Sequence, residues 1–265
     1  MSYKRTILGQ LRLIKFLASE NSIWITLAVA FKDSFKIRQL VTVRVFGCDV
    51  TIRTSTPDIE VARSTLGGEF ESASASYPKE SKGLIVDAGG YIGTAAIAFA
   101  RMYPAATIVT VEASGENFRV LQQNVARYPN IKAFHAALVP FASEKTVQLF
   151  SRGTGEWGFS VISDAKDGTA IFSQEVATLD VPTILSKFGH SSIMILKMDI
   201  EGAELGFLSA PKTWLPITGI YLVELHERII KGCEAAFLES SRGRFIYKLS
   251  GEKFASVNPE HFLKS

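Results

Sequence analysis

The rhythm of apolar and polar positions along this 265-residue chain changes twice. Up to about residue 39 the pattern is helical: Ile7, Leu11, Ile14 and Ala18 recur at the spacing that lines one helix face, with Lys4, Arg5, Arg12 and Lys15 to one side. Leu13 and Phe16 lie off that stripe. Residues 41–46 and 49–53 then read as a β-hairpin-like pair, Thr56-Pro57-Asp58 opens a short helical stretch, and the small polar residues of 71–82 mark a connector. From there apolar runs of strand length alternate with helical patterns. Strand 84–88, helix 91–102, strand 106–112, helix 115–127 and strand 131–138 make successive βα units. An irregular insertion containing Trp157 follows. Next come strand 175–179, helix 181–188, strand 193–199, a short helix near 203–209 and strand 218–225. Helix 227–240 and two β-runs, 245–249 and 253–257, close the chain across Ser250-Gly251-Glu252. Alternating βα units build a mostly parallel sheet with helices on both faces. The chain therefore reads as an α/β domain over residues 83–265, preceded by an extension over 1–82 that serves as a lid or subunit contact.

The first strand ends in Ile85-Val86-Asp87-Ala88-Gly89-Gly90-Tyr91-Ile92-Gly93, an apolar run followed by an acid and a glycine-rich turn into a helix. Glycines there allow a tight turn and close approach to a ligand, and a helix starting near Tyr91 would aim free amides at it. A dinucleotide fingerprint laid over Gly90 and Gly93 would need its first glycine at position 88, which is Ala88. The frame that fits is acid-x-Gly-x-x-x-Gly, on Asp87, Gly89 and Gly93. It resembles the S-adenosylmethionine (SAM) loop of class I methyltransferases. The second strand ends at Glu112, about twenty residues beyond the glycines, where an acid can accept two hydrogen bonds from a ribose diol.

Composition narrows the rest. A net charge of +3 without a dense Lys/Arg run gives no reason to invoke nucleic acid. Cys48 and Cys233 form no metal or redox motif, so both read as incidental thiols of a reducing, cytoplasmic compartment. The run from Ile23 to Phe31 ends in a signal-like Ala28-Val29-Ala30. Arg12, Lys15 and Glu20 interrupt the segment before it, leaving it too short to span a bilayer and awkward as a signal. An amphipathic helix here packs on its own domain or a sister subunit, and its basic face is compatible with a peripheral membrane contact.

A second cluster is Leu196-Lys197-Met198-Asp199-Ile200-Glu201-Gly202-Ala203-Glu204. A central parallel strand is apolar on both faces, so Lys197 and Asp199 on one parity need compensation. Glu224 and His226 share a parity at the carboxyl end of strand 218–225, where ligands bind in open α/β sheets. With the two strands side by side, Lys197, Asp199, Glu201, Glu224 and His226 converge beside the glycine loop. The Lys-Met-Asp-Ile-Glu-Gly-Ala-Glu string resembles the signature of FkbM-type methyltransferases, SAM-dependent enzymes that methylate hydroxyls of sugars and polyketides. Val111-Glu112-Ala113-Ser114, Asn124 and Val223-Glu224-Leu225-His226 fall in matching order over residues 83–250. Looser similarity reaches upstream to Arg53-Thr54-Ser55-Thr56-Pro57-Asp58 and Gly68-Glu69-Phe70. The resemblance implies a seven-stranded Rossmann-like sheet with an antiparallel last strand. It places SAM on Asp87, Gly89, Gly93 and Glu112, with Ala88, Gly90, Tyr91, Ala113, Ser114, Ala137 and Asp199 around it. Asp199, Glu201 and His226 would face the acceptor.

Methyl transfer to an aliphatic hydroxyl needs alignment and a base for the departing proton. His226 is the natural base, as a neutral imidazole oriented by Glu224 or Asp199, and Asp199 is its rival. Asp199, Glu201, Glu224 and His226 also contain enough ligands for one hard cation, but they lack a compact motif and Lys197 would repel the ion, so no metal is assigned. His135 reads as a packed or edge residue of its strand, and Trp157 with Phe159 either as an aromatic wall over adenine or sugar or as an anchor of the glycine-rich insertion. Asn/Asp-Pro-Pro-aromatic, the motif of adenine amino-methylating enzymes, is replaced by Met198-Asp199-Ile200-Glu201. The sequence reading is a SAM-dependent O-methyltransferase acting on a saccharide, glycolipid or polyketide-like hydroxyl. The alternatives are an NAD(P)-binding oxidoreductase, disfavoured by Ala88 and the closing hairpin, and a non-catalytic SAM-binding module.

Overall fold

The computed structural model describes residues 7–74, 76–153, 156, 158–162 and 170–261. Helices α1 (Ile7–Glu20) and α2 (Ile23–Ser34) precede a hairpin of β1 (Leu40–Val45) and β2 (Cys48–Arg53). Its two-residue turn, Phe46-Gly47, has φ of 46° and 76°, the left-handed conformation whose twist matches the flanking strands. Helix α3 (Asp58–Leu66) and the short α4 (Glu71–Ser74) follow. The apolar stripe expected on α1 points outward: Leu11, Ile14 and Ala18 are exposed, whereas Leu13 and Leu17 are buried with Phe16 packed beside them. The i,i+4 pair Leu13/Leu17 makes the contact with the hairpin core of Val43 and Val45.

The remaining elements are β3 (Leu84–Ala88), α5 (Thr94–Met102), β4 (Thr107–Glu112), α6 (Gly115–Val125), β5 (Ile131–His135), β6 (Ala137–Val139), β7 (Thr146–Ser151), β8 (Phe159–Ser160) and β9 (Ile171–Asp180). They continue with α7 (Val181–Phe188), β10 (Ile193–Met198), α8 (Glu204–Ser209), β11 (Thr218–Glu224), α9 (Cys233–Ser240), β12 (Phe245–Ser250) and β13 (Lys253–Val257). Seven strands form one sheet in the order β12-β13-β11-β10-β3-β4-β5, in which β13 alone runs opposite to the other six. This is the class I methyltransferase arrangement. Strands β3 and β10 are buried at every residue, as a sheet covered on both faces requires.

Four segments depart from the sequence reading. The expected strand 131–138 breaks at Ala136: β5 stays in the main sheet, while β6 leaves it for a four-stranded sheet in the order β6-β9-β7-β8. The run expected at 175–179 is part of the ten-residue β9 in that second sheet, and its outer half is largely exposed, unlike a central strand. Helix 91–102 begins only at Thr94, because Gly93 is left-handed. Helix 227–240 likewise begins at Cys233, after left-handed Gly232, and the Glu227 carboxylate accepts from Gly232 N and Glu234 N ahead of it. The core beneath one face of the main sheet runs without a break from Leu17 and Val29 through Ile52 and Ile59 to Ile85 and Ile97. A second cluster, with Trp214, Tyr221 and Phe237, fills the other face.

Candidate cofactor and catalytic site

The glycine loop leaves β3 and is bound to its neighbours on both sides. Gly89 sits at φ 76°, and a Cβ there would lie 1.7 Å from the Asp199 carbonyl oxygen. Asp199 N donates to Ala88 O at 3.1 Å, so the two sequence motifs meet backbone to backbone. On the other side Gly89 N and Gly90 N both donate to Val111 O at 3.0 Å, and Tyr91 N donates to Glu112 Oε2 at 2.8 Å. The amides of Gly89, Gly90 and Tyr91 are therefore committed to the end of β4, and the free amides expected of a helix starting near Tyr91 do not begin there. The loop runs along that strand before α5 begins.

Asp87 lies behind the loop rather than at a ligand surface. Fully buried, it accepts from Thr110 Oγ1 at 2.8 Å and pairs with Lys197 Nζ at 3.1 Å. Lys197 in turn donates to Gly89 O at 2.8 Å. Burial opposes its charge, but Asp87 and then Asp199 hold its pKa above the ordinary lysine value. The compensation that the sequence demanded for Lys197 is thus Asp87, with Asp199 Oδ2 farther off at 3.9 Å.

Glu112 occupies the end of β4 and accepts from Ser114 N at 2.8 Å as well as from Tyr91 N. Burial pushes its pKa up to about 7 against the lowering effect of those amides. Ser114 caps α6 by accepting from Asn117 N. The hydroxyl of Tyr91 donates to Asp58 Oδ1 at 2.6 Å, and Asp58 accepts from Arg53 Nε and a terminal guanidinium nitrogen, both at 2.9 Å. Arg53 also donates to Asn117 Oδ1 at 2.8 Å. This buried network joins the extension to the glycine loop, and only the loose upstream similarity around Arg53 and Asp58 pointed toward it.

The acids gather where β10 and β11 end. Asp199 is the most open of them, its side chain 33% exposed, against 15% for Glu201 and 24% for Glu224. Glu201 pairs with buried Arg152, and Glu224 with Lys253 at 3.5 Å. Burial raises Glu201 to about 7 and moves Glu224 upward as well. His226 stands behind them at 1% exposure, with Nδ1 3.0 Å from Glu204 Oε1. Its Nε2 is 3.7 Å from Glu201 Oε1 and 3.9 Å from Asp199 Oδ1. Burial favours the neutral ring, but Glu204, Glu201 and Asp199 override it and raise the pKa to about 9. Two expectations are corrected here: the orienting residue is Glu204, not Glu224 or Asp199, and the imidazole is charged rather than neutral near pH 7. Glu204 is fully buried and accepts from Ile200 N at 2.7 Å and Gly202 N at 2.8 Å, so it shapes the turn as well as the histidine.

One cleft of about 1410 Å³ joins these parts. Pockets for single small ligands span roughly 300–1,000 Å³, so a cofactor and an acceptor fit together. The glycine-loop residues Gly89, Gly90 and Tyr91 line it together with Glu112, Ala113 and Ala137 and with Lys197, Asp199, Glu201 and Glu224. Asp87, Ala88, Gly93, Ser114 and His226 are buried and do not line it. Phe159 lines the cleft, whereas Trp157 lies outside the described residues. A buried carboxylate with lone pairs to spare, beside a glycine turn at the carboxyl edge of the sheet, suits a ribose-bearing cofactor. Ligand atoms of Asp199, Glu224 and His226 lie within 4.8 Å of one another and could hold a divalent cation. Positive charge is already present there: Lys197 is 3.9 Å from Asp199, and Lys253 is 3.5 Å from Glu224. Exposed His135 in edge strand β5 lies 3.1 Å from Ala113 O and stacks on Phe118.

Comparison with solved structures finds a putative caffeoyl-CoA O-methyltransferase from Staphylococcus aureus at 10% identity, covering 95% of this chain and 99% of that one, with a TM-score of 0.44. Fibrillarin from Aeropyrum pernix, with natively bound SAM, is 13% identical over 83% of this chain and 82% of its own, with a TM-score of 0.42. Precorrin-6y C5,15-methyltransferase from Geobacter metallireducens is 11% identical over 75% and 88% respectively, with a TM-score of 0.42. No curated protein sequence matches the chain. The methyltransferase FkbM domain matches residues 87–243, a span that runs from the buried acid of the glycine loop past the Asp199 and His226 cluster. With more than half of its length in that match, the chain belongs to the FkbM family of SAM-dependent methyltransferases.

Proposed function

We propose that the chain transfers the methyl group of SAM to a hydroxyl of a saccharide, glycolipid or polyketide-like acceptor, in the cytoplasm. The observation that carries this reading is Asp199: a partly open carboxylate whose own backbone is hydrogen-bonded to the cofactor loop. SAM supplies an electrophilic methyl group on a sulfonium, and an aliphatic hydroxyl attacks it usefully only as its proton leaves. Asp199 takes that proton. Lys197 behind it and protonated His226 beside it balance the cluster's negative charge, and Glu204 keeps the imidazole in place. Glu112 and the glycine loop bind and orient the cofactor. Polar side chains at the acceptor end, among them Glu201, Glu224 and Lys253, suit a polyhydroxylated ligand.

An acceptor screen with methyl-labelled SAM, followed by NMR location of the new methyl, tests this reading. The expected product is a methyl ether on a sugar or polyketide-type hydroxyl. An N- or C-methyl product overturns the hydroxyl assignment, and tight SAM binding without turnover on any acceptor overturns the catalytic one.

A further inference from the structure

The N-terminal helices carry an apolar surface that the fold leaves uncovered. On α2 and its C-cap, Trp24, Leu27, Phe31 and Phe35 follow one another at helical spacing and are 79%, 52%, 56% and 66% exposed. The opposite face, with Thr26 and Val29, is buried. Helix α1 adds an outward stripe of its own, including Leu11 at 59% exposure. Folding thus accounts for one apolar face of each helix and not for the other.

Charge identifies the occupant. Residues 1–40 contain seven Lys and Arg against two acids, so the net positive charge of the whole chain resides in this segment and the remainder is slightly acidic. Arg12 and Lys15 are exposed on α1, and Lys32 and Lys36 flank the end of the α2 stripe. Exposed aromatic and aliphatic side chains bordered by lysine and arginine suit the headgroup boundary of an anionic bilayer, where apolar burial and phosphate attraction add. The stripe is also continuous with the site: Asp33, Ser34, Lys36 and Arg38, at and just beyond the end of α2, line the cleft. We propose that α1 and α2 dock the protein on an anionic lipid surface and bring the mouth of the cleft to a lipid-borne acceptor.

Docking is read directly, without SAM or acceptor, so it stands or falls apart from the methyl-transfer reading. The full-length protein is sedimented with vesicles of phosphatidylcholine alone or of equal parts phosphatidylcholine and phosphatidylglycerol, at low and high salt. Preference for the anionic vesicles by roughly tenfold or more, weakened by salt, is expected. Trp24→Glu with Phe31→Glu should lose roughly tenfold or more of that binding. Arg12→Glu with Lys32→Glu should remove the preference for phosphatidylglycerol even where the first pair folds poorly. Equal recovery with both vesicle types, or no recovery with either, overturns the proposal. So does a concentration-dependent dimer in sedimentation velocity that Trp24→Glu with Phe31→Glu disrupts while vesicle binding is absent, which would make the stripe a contact between copies.

Discussion

Three side chains carry the proposed reading of the cleft, and each makes a separable prediction. Asp199 is the proton acceptor in the proposed reaction, so Asp199→Asn should lower the rate of the chemical step by roughly 10²–10⁴-fold with SAM affinity near wild type. Single-turnover kinetics beside calorimetry checks this, and an unimpaired variant would remove Asp199 from the chemistry. Glu112→Gln should instead raise the SAM Kd, because it disturbs the proposed ribose acceptor and the tie to Tyr91 N together. His226 predicts through stability. Its folded pKa of about 9 lies above its ordinary 6.5, so the contribution is complete below about pH 6.5 and disappears as pH rises through about 9. Thermal unfolding of wild type and His226→Asn should therefore differ most near pH 6, by on the order of 3 kcal/mol, and converge above pH 9. A constant difference would mean that the ring is neutral in the folded protein. Glu112 and Asp199 were legible because an acid at the end of a parallel strand is conspicuous in an apolar run. The partner of His226 was not, because Glu204 lies on a different element and reaches the ring only through the turn at Ile200–Ala203.

At the scale of elements, the decisive contact is between the β3 loop and the end of β10. Any side chain at Gly89 meets an obstruction inside the protein, because its Cβ would lie against the Asp199 carbonyl. Even Gly89→Ala should cost several kcal/mol in chemical denaturation, since a clash with backbone adds to an unfavourable positive φ. A stable, folded Gly89→Ala protein impaired only in SAM binding would put the obstruction at the cofactor instead. The Tyr91–Asp58 bond makes a milder prediction. Tyr91→Phe should lose about 0.5–3 kcal/mol, as expected for a buried hydrogen bond to a charged acceptor, and should weaken SAM binding, because Tyr91 belongs to the loop itself. The order of strands and helices was visible in the alternation of patterns. The departure of β6 and β9 into a second sheet was not, since a half-exposed strand and a buried one differ in their neighbours more than in their residues.

At the scale of the whole molecule, the extension is continuous with the core beneath the sheet, so it should not behave as a detachable lid. Leu17→Ala should cost about 2–5 kcal/mol of global stability, and fluorescence and circular dichroism should report one coincident unfolding transition. Separate transitions for the extension and the sheet would divide the chain into two units. Turnover should survive exhaustive EDTA treatment, because Lys197 and Lys253 already balance the acid cluster; activity lost on chelation and restored by magnesium would assign the Asp199, Glu224 and His226 group to a cation. By itself the sequence determined the fold class, the glycine turn with an acid at the end of the next strand, and the convergence of charged residues at the ends of β10 and β11. Those properties are local: periodicity, turn chemistry and the rarity of charge in a buried strand are all written within a few residues. Only the tertiary structure decided that the loop amides are already bonded, that Asp87 pairs with Lys197, that His226 is charged behind Asp199, and that the apolar stripe of α1 faces outward. Each of those depends on distances and burial between residues remote in the chain, and these quantities arise only when the elements pack.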